Sequence, residues 1–194
     1  MLSIAGAQQA TTVRYLIEDK KSRFTVRAFA AGLLSALGHN PTISIPDFEG
    51  EVVLNSDEVN QSSLRAVIDA ASLTVIDDIR DKDRQEIERT MHEQVLETDS
   101  FPEIVYECSN ISAIKSGEGQ YAVTLNGELT LHGVTQNQAV AARVSLNGDI
   151  LRAVGDCTVS QSEYEIRPVS AVGGTIKLKD ELKLTFDITA RKQV

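Results

Sequence analysis

The chain has 194 residues, 42% of them hydrophobic and 24% charged. That composition excludes a disordered polymer, and no apolar run reaches the roughly 18 residues a membrane helix needs. Nineteen basic against 28 acidic residues leave a net charge of −9, so a phosphate backbone or an anionic membrane surface is a poor partner. Four prolines, twelve glycines and two cysteines exclude collagen-like and disulfide-dense architectures.

The segment Met1–Ala10 has neither the basic start nor the apolar stretch of a secretory leader. The expected location is therefore cytoplasmic, or periplasmic if a leader has been trimmed away. Residues 1–12 read as an extension and 13–192 as one domain, since no linker, repeat or composition shift divides them.

From there the chain alternates apolar and polar residues with a period of two, the mark of half-buried strands. Phe24, Val26 and Ala28 share one face, with Arg23, Thr25 and Arg27 on the other. Phe48, Gly50, Val52 and Leu54 follow, then Ala66, Ile68 and Ala70, then Ile104, Tyr106 and Cys108. Between them, from about Asp83 to Leu96, Ile87, Met91 and Val95 recur at helical spacing, and Pro102 follows the helix's end. A second helical turn is expected over Gly32 to Leu37, stopped by Gly38.

The second half is more regular. Val123, Leu125, Gly127, Leu129 and Leu131 share a face, followed by Val140, Ala142, Val144 and Leu146. Asn147-Gly148-Asp149 predicts a hairpin, after which Leu151, Ala153, Gly155, Cys157 and Val159 repeat the pattern. Ile176 and Leu178 precede a turn at Asp180-Glu181, and Leu182, Leu184, Phe186, Ile188 and Ala190 close the series. Eight or nine mostly antiparallel strands with one main helix predict a sandwich or barrel.

The chemistry-bearing motifs are few. His39, His92 and His132 show no metal-ligand spacing, and there is no CxxC, nucleophile elbow, Walker loop or G-x-G-x-x-G. Cys108 and Cys157 sit in apolar phase and read as buried free thiols rather than a disulfide. The expectation from these motifs is no enzyme, no cofactor and no metal.

Seven segments, in this order and spacing, resemble the YceI-like family of polyisoprenoid-binding, lipocalin-like barrels. They are Tyr15-Leu-Ile-Glu-Asp-Lys-Lys-Ser22, Phe48-Glu-Gly-Glu-Val52, Ile68-Asp-Ala-Ala-Ser72, Asp81-Lys-Asp-Arg84, Phe101-Pro-Glu-Ile104, Gly127-Glu-Leu-Thr-Leu-His-Gly-Val-Thr135 and Lys179-Asp-Glu-Leu-Lys-Leu-Thr-Phe-Asp-Ile-Thr-Ala190. Lys21 stands where the family often carries histidine, and Gly32–Pro41 is more helical and apolar than the common pattern. The resemblance implies a mainly β fold, an extended antiparallel eight-stranded lipocalin-like barrel with one main helix and a short helical turn. It also implies a long apolar pore that holds an isoprenoid, isoprenoid quinone or other long-chain lipid, in bacteria, for transport, storage or a stress response.

On that reading the pore is lined by Phe24, Val26, Phe48, Val52, Ile68, Tyr106, Leu125, Leu129, Leu131, Val144, Leu184 and Phe186. Head-group candidates are Arg27, His39, Asn40 and Tyr164. Taken by themselves, the apolar positions describe a solid core equally well, and the resemblance is what points to a pore. Two alternatives stand beside the carrier: an enzyme acting on a small lipid-like substrate, and a packed interaction barrel. The expected partner is a lipid, with neither nucleic acid nor a membrane span; a homodimer is left open.

Overall fold

The computed structural model describes residues 12–31, 40–167, 170–171 and 176–193. The strands are β1 (Thr12–Ile17), β2 (Arg23–Arg27), β3 (Ala30–Ala31), β4 (Thr42–Ser44), β5 (Phe48–Asn55), β6 (Ser63–Asp69) and β7 (Thr74–Val75). After the helix α1 (Asp81–Thr90) come β8 (Glu103–Cys108), β9 (Ile111–Gly117), β10 (Gln120–Leu131), β11 (Val134–Asn147), β12 (Ile150–Ser160), β13 (Ser170–Ala171), β14 (Ile176–Leu178) and β15 (Glu181–Lys192).

Eight of them form a closed antiparallel barrel in the order β1-β5-β6-β8-β10-β11-β12-β15, with β15 returning to β1 through Ile17↔Ala190 and Tyr15↔Lys192. Closure leaves these strands no unpaired edge around most of the circumference. The two twelve-residue strands change neighbours midway. β10 pairs β9 through its first half and β8 through Glu128–Thr130. β15 pairs β2 through Lys183–Asp187 before it reaches β1. β4 and β7 continue the sheet beyond β2, and β3, β13 and β14 make a small second sheet.

One seam parts. β12 pairs β11 only as far as Ala141↔Asp156, although β11 runs on to Val134 and β12 to Ser160. Above that point the short 3-10 turn Gln161–Tyr164 packs on β11, and Gln136 Nε2 donates to the Glu163 carbonyl at 3.1 Å.

The expected hairpin is present: Asn147 pairs Ile150, and Gly148 takes the positive φ of 57° that its turn requires. The helix starts two residues before Asp83, with Asp81 and Asp83 in its first turn, where the helix dipole favours acidic groups. It continues through one π turn, Met91–Val95, and Leu96 N–H donates to Met91 O at 2.8 Å. Helix side chains cover the edge of β7: Arg84 donates to the Val75 and Asp77 carbonyls, and Glu88 accepts from Val75 N–H at 2.8 Å. The helical turn expected at 32–37 lies outside the described residues.

The barrel's outer face carries cross-strand ion pairs, Arg14–Glu51, Arg65–Glu107, Lys183–Asp156 and Arg152–Asp187. Each contributes little in water. Together they make an outer surface unlike the apolar band of a lipid-facing barrel. Among the described residues no helix is long and apolar enough to cross a membrane.

Candidate functional site

The inward face does not meet in the middle. It encloses a cavity of about 1070 Å³ that reaches from Glu86 and Ile87 on the helix to Leu54, Val59 and Ser62 at the opposite end. That is roughly seven times a cavity that admits benzene. Twelve-residue strands at about 3.3 Å per residue and a tilt near 40° make a wall ~30 Å high. Spread over that height, the mean cross-section is on the order of 35 Å². The space is a tunnel, long and narrow.

Its polar groups are few. At the helix end Glu86, Thr90 and Gln94 follow one another at intervals of four, beside the apolar stripe Ile87, Met91 and Val95. Glu86 and Gln94 are exposed, so this stripe forms a rim. Glu86 is held by Arg89, whose guanidinium also reaches Glu93. At the other end Ser56 and Ser62 reach the cavity. That floor is braced by buried Asn55, whose Oδ1 accepts from Asp57 and Glu58 N–H at 3.0 Å, while Ser62 Oγ accepts from Asn55 N–H at 2.9 Å.

Inward glycines make room for rings. Phe186 lies against Gly155, its direct strand partner, where a Cβ would stand 2.6 Å from the ring and 2.3 Å from the Ala141 carbonyl. Phe24 meets Phe186 and Phe48 edge-on at 6.2 and 6.1 Å. Tyr106 lies across Gly127 in the same manner, a Cβ there falling 2.7 Å from the ring and 2.4 Å from the Glu107 carbonyl. Its hydroxyl stands 3.0 Å from the Gln138 carbonyl and 3.2 Å from that of Leu125, and donates to the strand backbone. Burial pushes the Tyr106 phenol well above its ordinary pKa, with the Cys108 and Cys157 sulfurs adding to the effect.

All twelve residues read as inward from the sequence line this tunnel, Phe24, Val26, Phe48, Val52, Ile68, Tyr106, Leu125, Leu129, Leu131, Val144, Leu184 and Phe186. Three of the four polar candidates fall elsewhere. Arg27 is exposed on the outer face, its guanidinium 5.7 Å from the Phe29 ring centre, because strand alternation turns it away from Val26 and Ala28. Asn40 is exposed and spends its Oδ1 on Ala30 N–H at 2.8 Å. Tyr164 is fully buried among Val159, Ile166 and their neighbours behind the lining, with no hydrogen bond to its hydroxyl. His39 lies outside the described residues.

Sequence reasoning missed Gln138 and the rim. Gln138 lines the cavity, and its amide nitrogen donates to the Ala139 carbonyl at 3.0 Å. The alternation of Val140, Ala142 and Val144, carried one step back, already places it inward. The rim was legible as the residues one position before Ile87, Met91 and Val95. Cys157 also lines the tunnel, and burial raises its thiol from 9.0 to about 11, with Asp156 adding to the effect. Cys108 is buried and likewise raised by burial; both cysteines are free thiols. Among the described residues no group of three His, Cys, Asp or Glu side chains is placed to hold a metal.

The barrel resembles solved structures at low sequence identity. BcnA of Burkholderia cenocepacia aligns over 89% of this chain and 98% of its own, with 19% identity and a TM-score of 0.66. A polyisoprenoid-binding domain from Saccharophagus degradans covers 92% and 98%, with 11% identity and a TM-score of 0.65. The Campylobacter jejuni YCEI protein covers 78% and 85%, with 11% identity and a TM-score of 0.56. Comparison with curated proteins finds no match. The profile of the YceI-like domain matches residues 10–190, nearly the whole barrel and its helix, and the chain belongs to the YceI-like family.

Proposed function

We propose that the protein binds one long, slender lipid chain of isoprenoid character along the tunnel, and carries or stores it without altering it. The observation that carries this reading is the continuity of the apolar lining from the helix to the floor at Val59. Each methylene moved from water into such a lining contributes about 0.8 kcal/mol. Some twenty buried carbons therefore amount to ~16 kcal/mol before an association cost of roughly 4–15 kcal/mol. A chain of that length is retained, and a short one is not. The fold shared with a polyisoprenoid-binding domain supports the isoprenoid assignment. The packed-barrel alternative is disfavoured by the volume of the space, since interior voids larger than a water molecule are few in packed cores. An enzymatic role finds no support in the lining, where Tyr106 is committed to the wall and no acid–base pair faces the tunnel among the described residues.

The test is organic extraction of the purified protein followed by mass spectrometry, together with uptake of a radiolabelled polyprenol by delipidated protein. The expected result is a stoichiometric chain lipid in the extract, or saturable uptake of the polyprenol near one per barrel. An empty extract together with no uptake overturns the proposal.

A further inference from the structure

The ends of the tunnel carry a restriction on the guest that the apolar wall does not. Among the residues whose side chains are described, none that lines the cavity is Lys, Arg or His. The helix end presents Glu86, Thr90 and Gln94, and the floor presents Ser62 and Ser56, the latter followed in the chain by Asp57 and Glu58. Arg89, which bonds the rim carboxylate of Glu86, also donates to Glu93. The N-terminus of α1, one turn before Glu86, is a place where backbone N–H groups could receive an anion. Its first turn is occupied by Asp81 and Asp83. The residues whose side chains are not described, 1–11, 31–39, 168–177 and 194, hold one Lys, Lys177, one His, His39, and no Arg.

Recognition of a phosphate group calls on charge-assisted donors, above all arginine forks and lysines. At these ends an anion meets carboxylates and uncharged hydroxyl or amide groups, on a chain of net charge −9. Thr90, Gln94 and the serines suit a neutral acceptor or donor instead. Resting on the carrier reading, we infer that the guest's polar end is uncharged, a hydroxyl or a ring carbonyl, and that the protein discriminates against the pyrophosphate-headed form of the same hydrocarbon.

The test keeps the chain constant and changes the head. Delipidated full-length protein is equilibrated by dialysis with radiolabelled geranylgeraniol and, separately, with geranylgeranyl pyrophosphate. The expected result is saturable binding of the alcohol at least about tenfold tighter than that of the pyrophosphate, the penalty of bringing an unpaired anion against a carboxylate rim. Pyrophosphate binding within tenfold of the alcohol, or tighter, overturns the inference and leaves the carrier reading standing. Failure of both probes to bind, with an empty lipid extract and no polyprenol uptake, overturns the carrier reading and this inference with it.

Discussion

Tyr164 and Cys157 show how much a single side chain's surroundings decide. The Tyr164 hydroxyl is buried with no partner, and burial raises its pKa. An orphaned hydroxyl in an apolar cluster carries a desolvation cost of about 1–3 kcal/mol. Tyr164→Phe is therefore expected to leave stability unchanged or raise it by up to ~1 kcal/mol, read from urea unfolding; a loss above about 2 kcal/mol contradicts the account. Cys157 makes a different prediction. Only the thiolate is alkylated, and burial disfavours it, so at neutral pH the reactive fraction is small. The alkylation rate of Cys157 should keep rising with pH until about 11 and not level off near 9.0. A bound guest should slow it at every pH, because the sulfur lines the tunnel. The burial of Cys157 was legible in the sequence and that of Tyr164 was not. There the alternation placed Cys157 inward but left Tyr164 as one aromatic in a stretch with no periodicity, so that its burial behind the wall went unseen.

Among the elements, the helix is the one that depends on borrowed contacts. α1 is tied to the short edge strand β7 by Arg84 and Glu88, and Ile87, Met91, Val95 and Leu96 face the tunnel. Glu88→Ala removes the acceptor of Val75 N–H and is expected to cost about 1–3 kcal/mol and to speed amide exchange at Val75. Glu88→Gln retains a side-chain oxygen and should cost clearly less. Equal effects of the two substitutions would rule out the hydrogen bond as the cause. The long strands and the helix were readable because side-chain periodicity is a property of the sequence itself. β4 and β7, at three and two residues, are too short to show a period, and the parting of β11 from β12 is a matter of backbone pairing that leaves no side-chain signature. The π turn is hidden for the same reason: Ile87, Met91 and Val95 keep ordinary helical spacing, and the extra residue shows in backbone bonding such as Leu96 N–H to the Met91 carbonyl.

For the molecule as a whole, the tunnel changes what a core substitution costs. Leu125 points inward yet is only half-buried, so it lacks neighbours on its lumen side. Leu125→Ala in the delipidated protein should fall at or below the low end of the roughly 2–5 kcal/mol seen for leucines in solid cores, and should cost more once a guest is bound. Leu125→Trp should leave the empty protein folded while sharply reducing polyprenol uptake; undiminished uptake would place the guest outside the barrel. The hollow interior also sets the molecule's response to hydrostatic pressure. Unfolding eliminates internal void, and pressure favours the state of smaller total volume. The unloaded barrel should therefore unfold at markedly lower pressure than the loaded one.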